Sequence, residues 1–179
     1  MVVYSMLANH IDAEMRYGRL RTEALKAAHE TLISQNITNI KLYTISSEAL
    51  NASRLWDNSK SRQVNWDWFE SYRSFKHRYP KRFEMAIWDK KSLIGLSMGR
   101  PTYRGTALRL DFVEAAPSDL GERPSIIEYV LLGYDIYSRM LNAKQIRIMN
   151  PINNKVLSYY EKFGYSYVAK GDYLYKDIF

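Results

Sequence analysis

Over residues 124–142 the only charged side chains are Glu128, Asp135 and Arg139, seven and four residues apart. At 3.6 residues per turn those spacings stack all three on one narrow line of a helix. Almost everything else in the run is apolar: Ile126, Ile127, Val130, Leu131, Leu132, Ile136, Met140 and Leu141. A helix of that kind buries most of its circumference, so it lies on a sheet and is flanked by neighbours. Pro124 suits its first position, and Asn142-Ala143 ends it. Strand patterns stand on both sides. In TALRLDFVEA (106–115) Leu108, Leu110 and Phe112 alternate with Arg109, Asp111 and Val113, and QIRIMN (145–150) follows the helix. A strand–helix–strand unit in one sheet demands parallel or near-parallel neighbours joined by a right-handed crossover.

The pattern elsewhere supplies the rest of the sheet. FEMAIWD (83–89) and SLIGLSMG (92–99) read as strands joined at Lys90-Lys91, with 99–105 as the loop to the next strand. A helix is expected over 153–163, with Asn153 as N-cap and Gly164 as its stop. YSYVAK, Gly171-Asp172 and YLYKD then form a hairpin. Toward the N-terminus, residues 6–34 read as helix from Leu7, Ile11, Met15, Leu25, Ala28 and Leu32. Tyr17-Gly18 is the point where that helix could divide in two. IKLYTI (40–45) is a short strand, Ser46 or Ser47 caps a helix through Trp56, and Pro80 stops a helix over 65–79. With no repeat, low-complexity tract or linker, residues 1–179 are expected to form a single domain. Its class is α/β of the α+β type, a mixed sheet flanked by helices.

Composition narrows the function classes. At 179 residues with 46% hydrophobic content, the chain can bury a core without staples. No window approaches ~18 uninterrupted apolar residues, which argues against a membrane span. The opening MVVYSMLANHIDAEMR lacks the basic start, apolar core and cleavage site of a secretory signal. Zero cysteines leave no disulfide framework, thiolate nucleophile or Cys-ligated zinc, which suits a cytoplasmic protein. His10, His29 and His77 lack a metal-ligand spacing, and no nucleotide-binding glycine fingerprint occurs.

The formal net charge of +7 favours anionic partners. Residues 53–82 hold eight basic residues against three acidic ones, interleaved with seven aromatics. One reading is a pair of amphipathic helices with a solvated basic face. The other is a surface for an anionic partner or an acceptor substrate.

The segment Asn153-Asn154-Lys155-Val156-Leu157-Ser158-Tyr159-Tyr160-Glu161-Lys162-Phe163-Gly164-Tyr165 resembles the late motif of the GNAT superfamily of acetyl-CoA-dependent N-acetyltransferases. Asn153, Val156, Tyr160, Glu161, Lys162, Gly164 and Tyr165 fall in the family's register. RFEMAIWDKKSLIGL resembles the family's hairpin. The likeness in order spans residues 38–179 and leaves 1–37 as an N-terminal helical extension, with dimerisation or covering the sheet as its uses. What the resemblance implies is a mostly antiparallel central sheet flanked by helices, and acetyl-CoA as acyl donor.

It also implies roles for particular residues. Tyr160 is the expected general acid: expelling a thiolate whose conjugate acid has a pKa near ~8.5 is assisted by a phenol near ~10. Tyr159 is the alternative, about 100° around the helix. Asp111 and Glu114 are candidates for the base, and on a regular strand they face opposite sides. The amide of Val113, at the end of that strand, would hold the thioester carbonyl. Gly121, Arg123, Ser125 and Asn153 would contact the cofactor. The family's glycine-rich pyrophosphate loop is replaced here by 117–125, where Pro124 removes an amide and Asp119 and Glu122 oppose phosphate. Either the cofactor binds through a modified loop using Arg123 and Ser125, or affinity has been lost.

Two functions follow. One is an enzyme moving an acetyl group from acetyl-CoA to a primary amine, its acceptor carried on a protein or charged RNA recognised by 54–82. The other is an inactive protein of the same fold that binds nucleic acid or an acidic protein. The enzyme reading needs two neighbouring strands to part after residue 115, so that a thioester can slide between them.

Overall fold

A computed structural model describes residues 2–178, with side chains from Asn9 onward. Among the described residues the strands are β1 (Ile40–Tyr43), β2 (Phe83–Asp89), β3 (Ser92–Pro101), β4 (Ala107–Ala115), β5 (Gln145–Met149), β6 (Ser166–Val168) and β7 (Tyr173–Asp177). They form one sheet in the order β1-β2-β3-β4-β5-β7-β6. Every pair is antiparallel except β4 with β5, where Ala107 to Leu110 run parallel to Gln145 to Ile148. The crossover that the buried helix demanded is therefore present.

The helices are α1 (Val2–Ser34), α2 (Ser47–Ser53), α3 (Trp68–Arg78), α4 (Ile127–Met140) and α5 (Asn154–Glu161). Three starts are fixed by side chains that satisfy a free amide: Ser46 accepts from Ala49 N, Asp67 from Glu70 N, and Asn153 from Val156 N. Stops follow from left-handed residues, with φ of 62° at Asn36, 56° at Asn142 and 85° at Gly164. No described helix is long and apolar enough to cross a membrane.

Two cores sandwich the sheet. On one face Leu25, Ala28 and Leu32 of α1 and Val130, Tyr134 and Tyr137 of α4 meet Met85, Leu108 and Ile146. On the other, Leu50 of α2 and Trp68, Tyr72 and Phe75 of α3 meet Leu96 and Met98. The basic, aromatic stretch 54–82 thus spends its rings on this second core. It leaves Arg54, Lys60, Arg73, Lys76, Arg78 and Lys81 exposed. Arg82 is the reverse case, 2% exposed and paired with Glu84 and Glu14.

Several expectations need correction. The first helix does not divide at Tyr17-Gly18; α1 is continuous. A glycine inside a helix costs about 1 kcal/mol, less than the ~1.5–3 kcal/mol from burying one leucine, and α1 buries Leu25 and Leu32. Arg21 fastens the next turn by donating to the Pro80 and Arg82 carbonyls and to Glu14. Ile11 and Met15, expected to mark the buried face, are 59% and 58% exposed. Leu7 lies outside the residues whose side chains are described. The fourth helix begins at Ile127, not Pro124, so Pro124 sits in the lead-in and takes no amide from the first turn. The loop after β3 is shorter than 99–105, because pairing continues through Pro101 opposite Leu108.

The most consequential correction is in β4. Met98 faces Phe112 while Gly99 faces Leu110, leaving Asp111 as one extra residue. This β-bulge inverts the alternation. Leu108 and Leu110 lie on the α1/α4 face, whereas Phe112 lies on the α2/α3 face. Asp111 pairs with Arg109, and Arg109 stands opposite Arg100, whose guanidinium covers Tyr79 on that same α2/α3 side. Asp111 and Glu114, expected on opposite faces, therefore share one.

Candidate active site

The bulge, together with a turn in the neighbouring strand, opens the sheet. β4 and β5 pair only as far as Leu110 and Ile148, so they part five residues earlier than the sequence reading required. β5 follows β7 through Met149 opposite Tyr173, and Asn150 then turns left-handed at φ 50°, carrying the chain toward α5. β4 runs on alone along that edge to Ala115. Ala116 N donates to Ile94 O on the β3 side. Stepping back by two, the Glu114 and Phe112 amides also face β3, and those of Val113 and Ala115 face the gap.

The gap widens into a cleft of about 1500 Å³. One wall is α5, with Asn153, Val156, Tyr159 and Tyr160, and one end is the start of α4, at Ser125 to Ile127. No side chain caps α4, so its first-turn amides stay free, and anions are favoured at such a terminus. The opposite wall is a strap, residues 57–67, contributing Arg62, Val64 and Trp66. Among the described residues no cluster of His, Asp or Glu could hold a metal ion.

Seven of the eight residues singled out from the sequence line this cleft: Asp111, Val113, Glu114, Arg123, Ser125, Asn153 and Tyr160. Gly121 does not. It is exposed in the lead-in at φ 127°, a conformation that favours glycine but puts it away from the opening.

Tyr160 is 3% exposed, its ring edge-on to Tyr159 and Tyr165. Its hydroxyl has no hydrogen-bond partner among the described residues. Burial pushes the phenol well above its ordinary value, so it stays protonated at neutral pH. Tyr159 instead brings its hydroxyl within 3.2 Å of Ser125 Oγ, tying α5 to the lead-in of α4.

The two acids differ sharply. Glu114 has both oxygens occupied: Arg62 Nε donates to Oε1 at 2.6 Å and Nη2 to Oε2 at 3.1 Å, while Trp68 Nε1 donates to Oε2 at 2.6 Å. Asp111 receives Arg109 on Oδ1 only, and its Oδ2 is enclosed without a partner. Burial raises the Asp111 carboxyl above the usual range, with Arg109 and Arg100 opposing that rise.

The loop 117–125 is better suited to an anion than its sequence indicates. Asp119, which would repel phosphate, turns to the strap, where the hydroxyls of Ser59 and Ser61 hold its carboxyl below the usual range. Arg123 braces the loop by donating to the Ala116 and Pro124 carbonyls. Lys155 and Lys162 also line the cleft, though the sequence marked neither as part of a binding site. Arg62 was missed as well. It sits in a basic run, and nothing local distinguishes it from its solvated neighbours.

No protein-family model matches the chain, and no curated protein sequence does. Its architecture, however, is similar to solved structures. Ard1 from Thermoplasma volcanium superposes with a TM-score of 0.59 at 13% identity, covering 79% of this chain and 99% of that one. The chain has the GNAT fold. A spermidine N-acetyltransferase from Vibrio cholerae, crystallised with CoA and spermine, shares this GNAT fold at TM-score 0.54 and 16% identity. The match covers 78% of this chain and 96% of that one. A dodecameric structure of the Vibrio cholerae enzyme superposes with the same TM-score at 18% identity.

Proposed function

We propose that this protein transfers an acetyl group from acetyl-CoA to a primary amine by direct attack. The observation that carries the proposal is the parting of β4 from β5 at Leu110 and Ile148. Into that one opening come unpaired strand amides, an uncapped helix start and a tyrosine with no hydrogen-bond partner for its hydroxyl among the described residues.

The residues fit such a donor. The free amides of α4, with Arg123, Ser125 and Lys155 nearby, suit a pyrophosphate. Unpaired backbone at the gap suits an amide-bearing arm, which would take the place of the missing strand partner. When bound, the cofactor supplies an acyl group activated as a thioester. On this reading the Val113 amide donates to the acyl oxygen, where charge develops as the amine attacks.

Two proton transfers complete the chemistry. As the nitrogen–carbon bond forms and the carbon–sulfur bond breaks, Asp111 takes the proton the amine loses. Its unpartnered Oδ2 and raised proton affinity favour it over Glu114, whose charge Arg62 already compensates. Tyr160 gives its proton to the departing sulfur.

Calorimetric titration with acetyl-CoA tests the reading, with binding expected in the micromolar range usual for such substrates. Silence at millimolar acetyl-CoA would remove it.

A further inference from the structure

The cleft is poor in usable negative charge. Two carboxylates line it, against the four cations Arg62, Arg123, Lys155 and Lys162. Glu114 is fully spent on Arg62 and Trp68. Asp111 spends Oδ1 on Arg109 and keeps Oδ2. That oxygen is the one uncommitted carboxylate oxygen lining the cleft and is itself enclosed, so the cleft has negative charge for one amine at most.

The side of the cleft formed by the strap and the end of β4 is apolar. The strap brings Val64 and Trp66 over β4, and Trp66 meets Phe112 edge-on with ring centroids 5.1 Å apart. Met149 lies across the gap, and Ile152, 56% exposed, forms its rim. This side is separate from the α4 and α5 wall, where the phosphate-compatible groups gather.

Taking the acetyl-transfer reading as given, we infer that the acceptor is a single amine on an apolar body of aromatic size. A polyamine is disfavoured, because its second and third ammonium groups would meet Trp66, Phe112 and uncompensated cations. An apolar body instead covers those rings and gains from their desolvation. Arylalkylamines and the N-terminal amine of a peptide with an apolar first residue share this chemistry.

The test is a set of titrations of the whole protein, with and without saturating CoA. The ligands are 2-phenylethylamine, a short peptide with an apolar N-terminal residue, and spermidine, followed by acetyl-transfer rates with each. At least one apolar amine should bind, and react by kcat/KM, about tenfold or more better than spermidine. That is the discrimination one apolar group in a pocket supplies. The arm that succeeds distinguishes the small amine from the peptide. Spermidine equal or better, or no binding by either apolar amine, overturns the inference. Absence of CoA binding would instead count against acetyl transfer, and the amine titrations without CoA keep the two failures apart.

A second variant guards against an uninformative result. Val64→Glu places a new carboxylate on the strap, outside both cores. It should shift the ratio toward spermidine by roughly tenfold. An unchanged ratio would mean that the strap does not face the acceptor.

Discussion

Arg62 and Glu114 are joined across 52 residues of sequence by a two-pronged ion pair, Nε to Oε1 at 2.6 Å and Nη2 to Oε2 at 3.1 Å. Their side chains are only 7% and 5% exposed. The pair holds the strap to the central strand, and Asp57 and the Trp66 carbonyl take other donors of the same guanidinium. Removing one member of a buried pair strands the other charge, which costs about 3–5 kcal/mol. Arg62→Leu should therefore lower the unfolding free energy by about 3 kcal/mol or more in urea titrations. A loss under about 1 kcal/mol would show that the pair is solvated in solution.

Tyr160→Phe separates chemistry from stability. The hydroxyl it deletes has no hydrogen-bond partner among the described residues to strand, so stability should change by less than about 1 kcal/mol. If the hydroxyl protonates the leaving sulfur, acetyl transfer should fall about 10²- to 10⁴-fold with CoA affinity largely kept. Unchanged turnover would move the acid role elsewhere, with Tyr159 the first place to look.

Gly99 is the residue the bulge cannot replace. A Cβ there would lie 1.8 Å from the Arg109 carbonyl oxygen and 2.8 Å from the Tyr134 hydroxyl. Backbone cannot yield as a side-chain tip can, so Gly99→Ala should cost more than about 4 kcal/mol or prevent folding. Gly95→Ala is the control. Its Cβ would meet only the Ile126 side chain, Cδ1 at 2.6 Å, Cγ2 at 3.0 Å and Cβ at 3.3 Å, with no backbone atom among the contacts. It should cost about 1–3 kcal/mol by overpacking. Thermal melts of the two variants give the comparison, and equal losses would contradict it.

Alkaline pH should unfold the protein cooperatively. Burial raises the phenols of Tyr72, Tyr134, Tyr137, Tyr160 and Tyr165 above the ordinary 10.0. Between that value and the folded-state values, the folded chain holds more protons than the unfolded one, so stability falls as pH rises. The contribution is complete below about pH 10 and is lost above it. Tyrosinate absorbance should therefore rise in step with loss of helix signal, rather than before it. Full tyrosinate absorbance with the fold intact would contradict the burial of these rings.

What could be read in advance follows from how local each signal is. Asn153, Gly164 and the charge line on α4 declare themselves within a few residues, because caps and helix periodicity act over one or two turns. The bulge does not. Leu108, Leu110 and Phe112 alternate without a flaw, and only the register opposite Met98 and Gly99 shows that Asp111 is extra. That single residue decides which acids share a face. Gly18 looked like a break because its local cost is visible, whereas the burial that outweighs it comes from residues far along the chain. Arg62 is indistinguishable from a surface cation for the same reason, since its partner Glu114 lies 52 residues away.

The four-pair ladder between β4 and β5 makes the seven strands two panels on a short hinge. Ala107 to Leu110 and Gln145 to Ile148 are the hinge leaf, and beyond it the panels share no ladder. Amides on that leaf should be the slowest to exchange with heavy water, and those of Val113 and Ala115 should be fast until something fills the space beside them. A molecule lying there would act as an eighth strand, closing the seam and stiffening both panels together.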